Sequence, residues 1–340
     1  MVFGFFAAFI FGFLGTAMPR MLSARPFRRF EIFPLLIVQT TMVVAFAFDR
    51  LVLGDALFLV LLAGFITCIV ARLKERQDTP PPGFVLVGFA FASVTSGALT
   101  GLILHYVEEP SFFWITLQKL LAYQGFVLLP ILGIGPFILP RLFGMESSHN
   151  FPESLAVPPG WGRKAALAGI TGFLIFASFL LEAAGWMRTG NGLRFLTVLA
   201  YLSLELPLRS TARTNALGLC IRLAFAGVLV GFLAVAIWPA YRVALLHFTL
   251  VGGFAIVTVV VATRVVFGHS GQLAKLKGRN TWFLASVVLM LIGMTTRISA
   301  DFLPRVLVSH YIYGALFWSA GLLLWAGFVL PRVLFSEPES

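Results

Sequence analysis

The stretch HFTLVGGFAIVTVVVATRVVFGHSGQ, His247 to Gln272, decides the fold. It is one apolar helix, long enough to cross a bilayer, with an imidazole near its start. Arg264 and the run Gly268-His269-Ser270-Gly271 close its other end. Ionisable groups cost roughly 2.5–3.5 kcal/mol at the centre of a spanning helix. Here they stand at both rims of one span, as functional groups or strong anchors would.

Working outward, apolar runs of the same kind fill the chain. Of its 340 residues 59% are apolar and only 11% charged, and the mean hydropathy is +0.95. A water-soluble domain carries about a quarter of its residues as charges. The runs are continuous over about 20 residues rather than alternating, so the spans are helices and not barrel strands. The expected fold is all-α, a polytopic integral membrane helix bundle. Eleven runs qualify, at 1–18, 32–49, 54–71, 84–107, 113–139, 165–186, 192–208, 217–238, 243–266, 281–300 and 307–330. No soluble domain fits between them, so residues 1–340 read as a single transmembrane helical domain without a clear internal repeat. In the fifth run Gly133, Gly135 and Pro136 are expected to kink or unwind the helix. Ser93, Gly97 and Gly101 form a small-residue stripe suited to close helix packing.

The net charge of +11 and the sequence pI of about 10.4 do not call for nucleic acid, because cytoplasmic loops collect Lys and Arg. The odd-numbered connections and the tail carry 18 of the 25 Lys and Arg residues. They are therefore expected inside, with Met1 outside and Ser340 inside. Met1 opens directly onto VFGFFAAFIFGFLGTAM, with neither a positive leader nor a cleavage site. Cys68 and Cys220 lie within apolar runs and lack CxxC spacing, which makes them packing residues. No Walker loop, nucleophile elbow or HExxH occurs, so soluble-type hydrolase or nucleotide chemistry has no support.

This topology sorts the five histidines by depth. His105 ends the fourth span, His247 lies about one turn inside the ninth, and His310 begins the eleventh, all toward the outside. His269 follows the ninth span on the inner side, and His149 is in the long loop near residues 145–164. Coordination of b-type haem by two imidazoles needs histidines on different helices facing across a slot. His105, His247 and His310 meet that condition, and imidazole suits haem iron, copper and zinc alike. The simpler reading has each bonding a neighbouring helix or lipid headgroups. His247 and His269 are 22 residues apart, roughly 33 Å of continuous helix, and cannot share one metal. Arg264 suits either a helix-end anchor or a clamp for a haem propionate or another anion. The pairs Arg297 with Asp301 and Glu205 with Arg222 read as structural.

Three segments resemble the NnrS family of bacterial haem- and copper-containing membrane proteins: VFGFFAAFIFGFLGTAMP at the start, GIGPFILPRLFG from Gly133, and His247 to Gln272. The last is the most specific, since the family pattern runs His, a glycine-rich helix, Arg, then Gly-His-Thr/Ser-Gly. The resemblance implies a bacterial inner-membrane protein that binds haem b and copper and acts in the response to nitric oxide and nitrosative stress. It makes His247, Arg264 and His269 important without fixing their roles. It also implies twelve spans, because members have a helix and a His-x-His-Glu-Met motif ahead of a segment like the one that opens here. The chain is thus expected to be truncated, to start too late, or to belong to a shortened branch, which weakens any copper site using those histidines. Two further readings stand beside this one. A small-solute or metal transporter would place its site at broken spans. A haem-copper nitric oxide reductase would need a second metal with about three imidazoles.

Overall fold

In the computed structural model, residues 2–142, 154–206 and 215–334 are described, and no β-strand occurs among them. Eleven helical rods follow the eleven apolar runs. In chain order they are α1 Val2–Met21, α2 Arg29–Ala47, α3 Leu51–Lys74, α4 Phe84–Leu104, α5 Phe112–Pro140, α6 Trp161–Ala183, α7 Met187–Glu205, α8 Ala216–Ile237, α9 Pro239–His269, α10 Thr281–Phe302 and α11 Pro304–Val333. All except α7 are long and apolar enough to cross a membrane. The exception has a compositional cause, since α7 carries Arg188, Asn191, Arg194 and Glu205 within 19 residues. The chain divides into two compact units: Met1–Phe137 with Ser147–Trp186, and Ile138–Glu146 with Met187–Ser340.

The first unit is built on phenylalanine. Phe3 stacks on Phe58 with centroids 4.0 Å apart, Phe11 on Phe65 at 4.5 Å, and Phe65 meets Phe27 and Phe91 at 5.9 and 6.0 Å. These rings join α1, α3 and α4 through the dispersion and burial that aromatic pairs supply. At one end a polar clasp closes the unit. Arg72 is fully buried, pairs with Glu31, and lies over the Phe27 ring at 4.2 Å. It also donates to the carbonyls of Cys68 and Pro26 at 3.1 and 3.3 Å. Beside it Asp78 accepts from Ser23 and from the backbone N–H of Ser154.

The expected break in the fifth run falls elsewhere. The chain stays α-helical from Phe126 to Leu142, through Gly133, Gly135 and Pro136. It departs from α geometry earlier, in a π-helical segment over Leu120–Gly125. The reason lies on α4. A Cβ at Gly97 would stand 2.6 Å from the Ala122 nitrogen, and one at Gly125 would stand 2.2 Å from Ser93 Oγ. Ser93 Oγ itself donates to the Leu121 carbonyl at 2.9 Å. The small-residue stripe thus serves close packing as expected, and its partner is the widened π turn. Gly133 serves approach rather than breakage, since its Cβ would meet the Gly83 carbonyl at 2.6 Å.

The second unit repeats this joint. On α8 the pattern AGVLVG around Gly227 and Gly231 parallels SGALTG around Gly97 and Gly101 on α4. It presses on a second π-helical segment, Phe248–Ala255 in α9. A Cβ at Gly227 would lie 2.9 Å from the Gly252 carbonyl carbon and 3.1 Å from the Phe248 oxygen. One at Gly231 would lie 2.2 Å from Thr249 Oγ1. Helices α10 and α11 meet as closely, Gly293 over the Gly314 carbonyl and Gly321 over that of Ser286, at 2.8 and 2.7 Å from their would-be Cβ atoms. Trp325 Nε1 ties α11 to α9 by donating to Thr263 Oγ1 at 2.9 Å.

Candidate functional site

The structure places His247 as the last α-helical residue before the π segment of α9. Its Nδ1 lies 2.9 Å from the Val243 carbonyl and 3.1 Å from that of Ala244. Carbonyl oxygens only accept, so Nδ1 carries the proton and Nε2 keeps its lone pair. Metal-ligating histidines show the same arrangement, with the second ring nitrogen held by a backbone carbonyl. The ring is half-buried. Its chain neighbours Leu245, Leu246, Phe248 and Val251 of α9 join Leu291, Met294 and Ile298 of α10 in one apolar cluster.

His310 belongs to the same unit. Its Nδ1 is 2.9 Å from Ser299 Oγ, and that hydroxyl donates to the Thr296 carbonyl at 2.9 Å. A hydroxyl has one proton to give, so His310 Nδ1 is the donor and its Nε2 is also left as a lone pair. The His310 ring thus borders the stretch Thr296–Asp301 of α10 through Ser299. The Arg297–Asp301 pair expected from spacing is present at 2.8 Å. Tyr311 completes it, its hydroxyl donating to Asp301 at 2.8 Å and its ring 4.0 Å under the Arg297 guanidinium.

His105 stands differently. It caps α4 in the first unit with its Nε2 2.9 Å from Asp55 Oδ2, so the nitrogen most exposed for ligation is committed to a carboxylate. Arg264 and His269 lie beyond the π segment, 17 and 22 residues along the chain from His247. His269 is exposed as the last residue of α9. Gly271 follows at φ +66, and the Gln272 N–H bonds back to the Phe267 carbonyl at 3.0 Å. That is a helix-terminating turn of the kind glycine permits. His149 lies outside the described residues.

Two buried cations escaped the sequence reading. Arg72 counted there only as a loop charge, yet it is wholly enclosed. Arg194 of α7 is fully buried as well, over the Phe232 ring at 5.3 Å with Asn191 beside it. The dip in hydropathy along α7 was the available signal for the second.

Long apolar helices, with Nδ1-anchored imidazoles at His247 and His310, define a polytopic helical membrane protein. The family is shown by sequence: the NnrS protein family model matches residues 1–336, and the chain belongs to the NnrS family. Comparison with curated proteins and with solved structures finds no match.

Proposed function

We propose that this protein binds haem b through His247 in the bacterial inner membrane and acts in the response to nitric oxide. The observation that carries the reading is the geometry of His247: Nδ1 fixed on its own helix, Nε2 left as a lone pair that would hold a metal, and an apolar α9–α10 cluster that takes in the residues on either side of it. A haem held there supplies an iron centre that binds nitric oxide and changes oxidation state. The chain's own part is to orient the imidazole, exclude water with Leu246, Phe248 and Met294, and offer His310 as the second imidazole of the same unit. His105 remains a candidate in the first unit, reached only if Asp55 releases it. Copper lacks a comparable fit, because among the described residues no three His, Cys, Asp or Glu side chains gather as a metal cage.

The test is the reduced-minus-oxidised spectrum of the purified protein and two variants. The parent is expected to show a b-type signal. His247→Ala should lose it, and His269→Ala should keep most of it. An unchanged spectrum in His247→Ala removes the ligand, and a parent with no haem signal returns the transporter reading to first place.

Orientation is checked separately. With the odd connections inside, Ser111→Cys at the start of α5 should react with an impermeant maleimide from the periplasm. Ser148→Cys in the long loop should be protected until the membrane is opened. The reverse pattern inverts the topology and moves His247 to the cytoplasmic side.

A further inference from the structure

We propose that Arg297 binds a carboxylate at the His247 end of the second unit, namely a propionate of the macrocycle that His247 ligates; this rests on the haem reading above. The register of α9 against α10 puts Arg297 at the right level. Met294 Sδ would lie 2.8 Å from a Cβ at Gly252, one turn into the π segment beyond His247. Three residues further along α10, in the direction that returns toward His247, stands Arg297.

The guanidinium is also presented rather than consumed. Asp301 takes one Nη1 bond, and the Tyr311 ring supports one face at 4.0 Å. Tyr311 in turn donates to Asp301, so the carboxylate is held from two sides and fixes the fork in place. Its side chain remains 20% exposed, and a planar fork held in this way has N–H groups left that match a carboxylate in geometry and charge. Met294, three residues before it on α10, belongs to the apolar cluster with Leu246, Phe248, Val251 and Leu291. An imidazole, an arginine and an apolar cluster carried on the same two helices together suit a flat apolar molecule with a carboxylate on its rim. Arg264, the cation at the far end of α9, is 17 residues from His247, about 25 Å of helix at 1.5 Å per residue. It is too distant to serve the same macrocycle.

The experiment reconstitutes haem-depleted, full-length protein in detergent with haem or with haem dimethyl ester, in which both propionates are blocked. Affinity is read from the absorbance band. The parent should bind haem roughly tenfold or more tighter than the ester, the scale of a hydrogen bond to a charged group. Arg297→Gln should bind both alike, at the level the parent shows for the ester. Asp301→Asn, which loosens the fork but keeps the charge of Arg297, should retain part of the preference. A parent that binds haem and ester equally overturns the inference and leaves the haem reading intact. So does an Arg297→Gln protein that weakens both equally, as a purely structural arginine would. If ester and haem bind alike while Arg297 governs uptake of radiolabelled acetate, the carboxylate is a free small anion and the propionate assignment falls. A parent that takes up neither porphyrin defeats the haem reading and this inference together.

Discussion

Arg72→Met is expected to lower the stability of the purified protein by about 3–5 kcal/mol, the cost of breaking a buried ion pair by removing one partner. Arg72 is wholly buried, and its loss leaves Glu31, with a side chain only 11% exposed, facing Arg25 at 3.6 Å as its remaining cation. It also removes the donors to the Cys68 and Pro26 carbonyls and the stacking on Phe27. The double variant Arg72→Met with Glu31→Met should recover most of the loss, because replacing both charges by apolar groups of similar volume is often neutral. Arg76→Met is the control. That arginine is exposed and bonds only the Leu73 carbonyl three residues before it, so its change should stay within about 0.5 kcal/mol. Thermal melting in one detergent, followed by helical circular dichroism, reads all four proteins. Equal melting of Arg72→Met and Arg76→Met would show that the clasp adds nothing.

The bundle was legible because a bilayer demands continuous apolar helices, and that demand is written locally, residue by residue. All eleven runs appear as helices for this reason. What the sequence could not show was which helix each side chain faces. Arg72 and Glu31 are 41 residues apart, and nothing in either neighbourhood signals the partner. The same holds for His105, which stands at the end of α4 as expected but whose partner, Asp55, lies at the start of a different helix. Similar depth therefore grouped His105 with His247 and His310, whereas hydrogen bonding sets it apart. The fifth helix is the converse case. Gly133, Gly135 and Pro136 are strong local breakers, yet the helix runs through them. The departure occurs over Leu120–Gly125, where α4 leaves room for a wider turn. Tertiary approach, not local propensity, decides where the backbone yields. Arg297 and Asp301 were legible as a pair from their spacing alone, but their level toward the His247 end of α9 follows from the packing of α9 on α10.

Gly227→Leu is expected to disable the site without touching it. A Cβ at Gly227 would already stand 2.9 Å from the Gly252 carbonyl carbon and 3.1 Å from the Phe248 oxygen. Both are backbone atoms, which cannot swing aside as a side chain can. Overpacking of this kind costs about 1–3 kcal/mol, and a branched side chain against two backbone groups falls at the upper end. The strain has one outlet, displacement of the π segment from α8. π-helical turns are rare and gather at functional sites, and this one lies directly against Gly227, so it should yield before the α-helical stretches around it. His247 is its N-terminal neighbour, and moving Phe248 shifts the backbone that carries the imidazole. The expected result is a lower melting temperature together with loss of the b-type signal in the molecules that remain folded. Gly192→Leu on α7 is the comparison, since nothing lies within 4 Å of a Cβ there; it should keep both properties. Loss of stability in Gly227→Leu with the spectrum intact would separate the π segment from the site and leave it a packing device alone.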